Sequence, residues 1–364
     1  MPTKRAALPP GLIVRTGKFV WNTMWRTMMS QMAPRNKSGE YVRPESAFRG
    51  REIVPEAGRY RLIVGMSCPW AHRTLVTRAL KGLEDAIAIT TVHPSTDEGR
   101  WLFDQDQSLL DCRTLPDFYA ACQPGYSGRS TVPVLWDSQT NTIVNNESAD
   151  IIELLNSEFG DLATGPDLYP EHLQSSLGGA SQSSLGGASQ SSLGGASQSS
   201  LGGASPSSLG GASPSQIDEL NDKIYATVNN GVYRCGFAQT QSAYDEAVGE
   251  LFSTLDEMDQ RLETHRYLCG DSLTLADVRL FTTLIRFDVA YHGIFKCNRR
   301  RIADYKNLSG YLAEIYQMPG IADTCEIEAV KRDYFGNLFP LNPGGIVPIG
   351  PGWDGLKEPH GRNQ

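Results

Sequence analysis

Cys68 sits in the run Ser67-Cys68-Pro69-Trp70-Ala71-His72-Arg73. It follows the apolar stretch 60–66 (YRLIVGM) and precedes Leu75, Val76, Ala79 and Leu80 at helical spacing. Strand, cysteine, proline and helix in that order put the thiol at a helix N-terminus. There, unpaired backbone N–H groups and the positive end of the helix dipole favour a thiolate and lower its pKa. Pro69 suits the first helical turn, where its missing N–H costs nothing. Three residues after Cys68 stands Ala71, so a mixed disulfide formed on Cys68 has no local thiol to resolve it. An external thiol must do so, and glutathione is the abundant one. The plain alternative, a buried structural cysteine, fits this placement poorly. His72 falls on the predicted helix and is expected to face solvent or cap it rather than serve Cys68 as a base.

Two further segments suit a peptide-like thiol. Thr131-Val132-Pro133 opens a later strand. A cis proline there would turn the Val132 backbone toward the cysteine, where an extended peptide can pair as an added strand. Glu147-Ser148 begins a helix, whose N–H groups and serine hydroxyl suit a carboxylate, while Glu147 can receive an ammonium. Those are the two charges at the γ-glutamyl end of glutathione.

The elements that must position these residues follow from periodicity. Strands are predicted at 60–66 and 86–92, a helix at 71–83 between them, a hairpin of 132–136 and 142–145 around Asp137-Ser138-Gln139, and a helix at 148–158. This order is that of an α/β thioredoxin-like domain. Helices are predicted at 216–229, 242–263, 275–290 and 307–316, with Thr274 and Asp277 forming a capping signature for the third. Between the halves, residues 175–214 are five copies of an octapeptide, three SSLGGASQ and two SSLGGASP. One large apolar residue per copy cannot offset the entropy of ordering, so the insert is expected to be disordered. The expected organisation is an N-terminal arm (1–50), a thioredoxin-like glutathione-binding domain (51–160), a linker with the low-complexity insert (161–215), an all-α substrate domain (216–335) and a C-terminal strap and tail (336–364).

Composition narrows the function classes. A net charge of −8 runs against a nucleic-acid partner. No apolar run reaches the roughly 18 residues that span a bilayer. Seven cysteines without C-x-x-C spacing are neither a disulfide framework nor a metal site. They fit a reducing compartment, here taken as the cytoplasm. The basic N-terminus, free of acidic residues until Glu40, has the composition of an organelle transit peptide. The expectation is instead an arm packed on the folded body.

With these segments in view, the chain resembles the glutathionyl-hydroquinone reductases, the Xi class of the glutathione transferase superfamily. The segments that carry the resemblance are CPWAHRTL, GRSTVPVLWD, IVNNES, NNGVYRCGFA, LCGDSLTLADVRLFTTLIRFD and FKCN, over roughly residues 40–350 apart from the repeat. CPWAHR with NNGVY is particular to that class. The resemblance implies a homodimer using glutathione as cosubstrate, with no metal. It implies glutathione held by Trp101, Arg129, Ser130, Thr131, Val132, Glu147 and Ser148. It implies an aromatic site with Tyr233, Tyr291 and Tyr334, whose phenols can protonate an aryl leaving group. The chain departs from the family at Asp333-Tyr334-Phe335, where a His-Tyr-Tyr run is common, and in carrying the repeat. The cysteine site also suits an omega-like thiol transferase or dehydroascorbate reductase. A non-catalytic binding protein on the same fold fits it less well.

Overall fold

The computed structural model describes residues 10–95, 99–104, 106–170 and 215–362, so the octapeptide repeat lies outside the described residues. The chain enters through helix α1 (Pro10–Met32). Only its last turns dock on the body: Met29 and Ala33 are buried, and the Trp25 indole N–H donates to the Pro340 carbonyl at 3.1 Å. Leu12, Ile13, Val14 and Phe19 are exposed. The expected packed arm is therefore a helix anchored at one end.

Strand β1 (Tyr60–Val64) is followed by α2 (Pro69–Leu80), β2 (Ala88–Pro94), β3 (Trp101–Phe103), α3 (Leu115–Cys122), β4 (Val134–Asp137), β5 (Thr142–Asn145) and α4 (Ser148–Ser157). Among the described residues the strands form one five-stranded sheet in the order β3-β2-β1-β4-β5. β1 pairs parallel to β2, with Leu62 opposite Ile89, and antiparallel to β4, with Ile63 opposite Val134. The almost unbroken apolar run of β1 fits a central strand covered on both faces. β3 and α3 were not anticipated from periodicity, because three- and eight-residue elements carry too few repeats to show one. β4 starts at Val134 rather than 132, because the cis Val132–Pro133 peptide precedes it and proline has no N–H for the ladder.

The helical half comprises α5 (Gln216–Ile224), α6 (Gly231–Phe237), α7 (Gln241–Arg261), α8 (Leu275–Arg286), α9 (His292–Ile294), α10 (Leu308–Tyr316) and α11 (Ile327–Asn337). All of α8 is buried. Its start carries the expected capping box, with the buried Asp277 carboxylate accepting from the Thr274 N–H at 2.8 Å and the Thr274 hydroxyl at 2.9 Å. The helix predicted over 216–229 becomes α-helical only to Ile224 and π-helical over Tyr225–Asn229; α8 likewise runs into a π-helical turn at Phe287–Tyr291. The cause at the first is visible. The Asn229 amide N–H₂ donates to the Arg279 carbonyl at 2.8 Å and to the Thr283 hydroxyl at 2.7 Å, and its oxygen accepts from Arg73. Drawing that side chain between α2 and α8 opens the local turn.

Helix α2 joins the two halves. It packs against α4 on its own side and α8 on the other. Leu75 belongs to the apolar core around the sheet, whereas Val76 and Ile152 join the core of the helical half. C-terminal to α11, the chain runs without regular structure apart from a short 3-10 turn at Asp354–Lys357. Asn342 donates to the Phe335 carbonyl at 2.7 Å, and the Trp353 indole N–H to the Ile285 carbonyl at 2.9 Å.

Candidate active site

Cys68 is the N-cap of α2, with extended backbone and Pro69 in the first turn. Its N–H donates to the Gly65 carbonyl at 2.9 Å, closing the turn out of β1. The ring of Trp101 lies on Gly65, where a Cβ would collide with it. The thiol donates to the Val132 carbonyl across a long 3.8 Å contact. That carbonyl belongs to the cis peptide, so the two segments meet as the sequence suggests. The Thr131–Val132 segment is held from behind: the Tyr119 hydroxyl donates to the Thr131 carbonyl at 2.8 Å, and Asn146 donates to the Thr131 hydroxyl at 3.4 Å.

The pKa shift at Cys68 runs against the expectation. Burial pushes the Cys68 thiol up. Opposing it are the Ala71 N–H, the Arg43 charge, the Trp70 N–H and the Arg286 charge, and together they do not cancel it. The helix N-terminus acts in the expected direction, but desolvation of the sulfur is larger, because a thiolate in low dielectric loses its water.

His72 also departs from the expected solvent-facing or capping role. It is buried, its Nδ1 accepts from the Arg286 guanidinium at 2.8 Å, and its Nε2 pairs with the Thr324 hydroxyl at 2.9 Å. Because an arginine can only donate, the proton is assigned to Nε2. Burial and then the Arg286 charge hold its pKa well below the ordinary value. Both ring nitrogens are engaged, so His72 is neither solvent-facing nor a base for Cys68.

Glu147 and Ser148 stand at the N-terminus of α4. Glu147 is itself the N-cap, accepting from the Ala149 N–H at 3.2 Å and from the Ser46 hydroxyl at 2.8 Å. Ser148 is buried, with the Arg73 guanidinium 3.4 Å from its hydroxyl. The protein's own carboxylate thus takes part of the N–H array anticipated for a ligand. Arg129 is exposed, and its carbonyl accepts from the Tyr126 hydroxyl at 2.9 Å. Ser130 and Trp101 are half-buried.

The three tyrosines converge although they lie on three elements. Tyr334, on α11, has its hydroxyl 2.6 Å from that of Tyr233 on α6 and 3.0 Å from that of Tyr291 in the second π-helical turn. The departure at Asp333-Tyr334-Phe335 does not remove Tyr334 from the group. Trp70, two residues after Cys68, stacks on Tyr233 with centroids 6.4 Å apart. Burial first, and the neighbouring hydroxyls next, push the Tyr233 and Tyr334 phenols well above their ordinary value; Tyr291 is pushed up to about 12. A negative charge on Cys68 raises Tyr233 and Tyr291 further, which puts both phenols within electrostatic reach of the sulfur. The arrangement is one thiol within electrostatic reach of phenols that burial keeps protonated.

Several residues at the site were not anticipated. Trp70 lies between two cations, with Arg43 3.9 Å and Arg73 4.5 Å from its ring centroid. Arg73 and Arg286 are almost wholly buried. The available signal was compositional. Arg286 interrupts the apolar run Phe281, Leu284, Ile285, Phe287, and an arginine on such a face needs partners.

Comparison with known proteins now bears on the same features. The family described as "Glutathione S-transferase, N-terminal domain" matches residues 67–158, and the one described as "Glutathione S-transferase, C-terminal domain" matches residues 241–314. The chain is 42% identical to "Glutathionyl-hydroquinone reductase YqjG" of Escherichia coli, over 94% of this chain and 97% of that protein. The glutathione-bound structure of YqjG superposes with a TM-score of 0.71 at 45% identity, covering 85% of this chain and 90% of that one. The Xi glutathione transferase of Phanerochaete chrysosporium superposes with a TM-score of 0.72 at 40% identity, covering 87% and 94%. The chain belongs to the Xi class of the glutathione transferase family. The sheet half with Cys68 accordingly matches the glutathione transferase N-terminal domain, and the helical half with Tyr291 its C-terminal domain. Among the described residues no group of His, Cys, Asp or Glu is arranged to hold a metal ion, and no helix is long and apolar enough to cross a membrane.

Proposed function

We propose that this Xi-class chain reduces glutathionyl-hydroquinones to hydroquinones at the expense of glutathione. The observation that carries the reading is the meeting of Cys68 at the Val132–Pro133 corner with phenols at hydrogen-bond distance from one another. The reading is supported by the name of the YqjG relative and by that relative's binding of glutathione.

In the first step the Cys68 thiolate attacks the sulfur of the glutathionyl group. An S–S bond forms, the aryl C–S bond breaks, and the ring takes the electron pair together with a proton from the Tyr233–Tyr334–Tyr291 group. Hydroquinone leaves, and glutathione stays disulfide-bonded to Cys68. In the second step a glutathione thiolate attacks that disulfide, releasing glutathione disulfide and restoring the Cys68 thiolate. The sum consumes one thioether and one thiol and yields one hydroquinone and one disulfide. Ala71 in the resolving position makes the second glutathione obligatory.

Glutathione is assigned to Trp101, the Arg129, Ser130, Thr131 and Val132 segment, Glu147 and Ser148. Its central N–H pairs with the Val132 carbonyl. That contact competes with the Cys68 thiol for the same acceptor and so favours the thiolate. Assembly as a homodimer and a cytoplasmic location belong to the same reading. All seven cysteines are free, as in a reducing compartment.

The test is turnover of a glutathionyl-hydroquinone with free glutathione, run beside dehydroascorbate, with light scattering for the oligomeric state. Release of hydroquinone and glutathione disulfide in equal amounts is expected. Turnover of dehydroascorbate alone would overturn the substrate assignment in favour of an omega-like activity.

A further inference from the structure

Arg286 closes α8 in the helical half, yet its partners lie largely in the other domain. Its Nε donates to the Ser67 carbonyl at 2.9 Å and Nη2 to the Met66 carbonyl at 2.9 Å. Nη1 donates to His72 Nδ1 at 2.8 Å and to the Thr282 carbonyl of its own helix at 3.0 Å. The residue is 1% exposed. All four partners are neutral. A buried charge held only by dipoles is costly and calls for an anion. The two carbonyls it holds belong to the residues immediately before Cys68. Turned into the guanidinium, their negative ends stabilise the cation instead of facing the sulfur.

We propose that Arg286 is a positioning residue for the nucleophile: it reaches across the domain interface, fixes the Met66–Ser67 backbone that presents Cys68, and serves as the buried counter-charge of the Cys68 thiolate. The inference rests on the reading of Cys68 as the nucleophile. The other groups around the sulfur do not replace it. Arg43 is a second cation whose charge favours the thiolate more than that of Arg286, but it is partly exposed and engaged over the Trp70 ring, whereas Arg286 is buried and holds the Met66 and Ser67 carbonyls. His72 is neutral. Tyr233, Tyr291 and Tyr334 are phenols that stay protonated, with burial the first cause in each. Cys325, 3.6 Å from His72 Nε2, is a thiol whose pKa burial pushes up to about 11. The Arg286 charge acts on Cys68, Tyr291, Tyr334 and Cys325 in one direction, favouring the anion in each. This explains how a domain that carries none of the Cys68 loop controls its chemistry. It also assigns a role to His72, whose tautomer is set so that it accepts from Arg286 and anchors to Thr324.

The experiment measures alkylation of Cys68 by iodoacetamide against pH, read on the Cys68 peptide by mass spectrometry, in the full-length parent, Arg286→Lys and Arg286→Met. Turnover with glutathionyl-hydroquinone is measured alongside. In Arg286→Met the alkylation midpoint should move up by about one pH unit or more, so that alkylation at neutral pH slows about tenfold or more. Arg286→Lys keeps a charge but not the planar fork that holds both carbonyls. Its midpoint should stay near the parent's while kcat falls and KM for glutathione changes little. A profile for Arg286→Met that superposes on the parent's overturns the proposal. If Arg286→Met does not fold, Arg286→Lys decides: a lower kcat at an unchanged midpoint supports the fork, and a kcat equal to the parent's overturns it. Alkylation needs no glutathionyl substrate, so an error in the substrate assignment leaves this test intact. Turnover surviving in Cys68→Ser would instead sink the proposed function itself.

Discussion

Cys68 carries a tension between two local forces. The helix N-terminus draws out its proton and burial returns it, and burial is the larger. In the protein alone, alkylation of Cys68 should therefore still be climbing at pH values where an ordinary thiol has levelled off. Binding of glutathione should bring the rise to lower pH. Cys68→Ser should abolish reductase turnover. With limiting substrate and no free glutathione, the parent should accumulate one glutathione on Cys68, seen by intact-mass spectrometry and removed by added glutathione. An internal disulfide appearing in its place would mean that another cysteine resolves Cys68. In the proposed reaction Tyr233 serves the other half of the step, the protonation of the leaving ring. Its raised pKa keeps the proton available across the physiological range, and a positioned acid contributes roughly 100- to 10,000-fold. Tyr233→Phe should slow reduction of glutathionyl-hydroquinone by a factor in that range. Substrates whose leaving group is an acidic thiol should be spared. Equal losses on both would mean that Tyr233 supports packing or the thiolate rather than donating a proton.

The elements differ in how far local sequence specifies them. The α8 start is written in Thr274 and Asp277, three residues apart, and the structure forms that box. It also adds what the pattern did not contain: Asp277 accepts from the Leu268 N–H and from the Tyr311 hydroxyl, both at 2.9 Å. Asp277→Ala would leave these donors and the Thr274 N–H buried without an acceptor. Each such group costs about 1–3 kcal/mol, so the loss should be about 3 kcal/mol or more. Urea unfolding checks this, and a loss under 1 kcal/mol would mean that water replaces the carboxylate. The π-helical turns are the opposite case. Nothing local in Tyr225–Asn229 announces one, because the turn opens to let Asn229 reach Arg279 and Thr283, some fifty residues away. Such turns recur at functional sites. Here the first carries Asn229, which accepts from Arg73 of α2, and the second carries Tyr291.

At the scale of the molecule, the octapeptide insert and the domain interface pull in different directions. Tyr169, shortly before the insert, donates its hydroxyl to the Asp218 carboxylate at 2.8 Å, and Ser215, just after it, donates its hydroxyl to the same carboxylate at 2.6 Å while accepting from the Asp218 N–H at 3.1 Å. The two flanks therefore converge on one carboxylate, and a short connection can close the gap. Deleting residues 175–214 should leave thermal unfolding and turnover nearly unchanged, since loop entropy varies only slowly with length. Loss of soluble protein on deletion would make the repeat structural. The interface has no such tolerance. Arg73 and Arg286 are buried in it, and each bonds across it, Arg73 to Asn229 and Arg286 to Met66 and Ser67.

By itself the sequence determined which cysteine ends a strand and opens a helix, that no thiol follows three residues later, that the Val132–Pro133 and Glu147–Ser148 segments belong to the same domain, and where the capping box of α8 begins. These depend on neighbours within a few residues, where backbone geometry leaves little choice. Only the tertiary structure decided the direction of the pKa shift at Cys68, the engagement of both His72 nitrogens, the meeting of Tyr233, Tyr291 and Tyr334, and the reach of Arg286 into the Cys68 turn. Each of these is a balance of desolvation and charge. Burial and counter-charges are supplied by residues hundreds of positions away, as Ser67 and Arg286 are, so no local pattern records them.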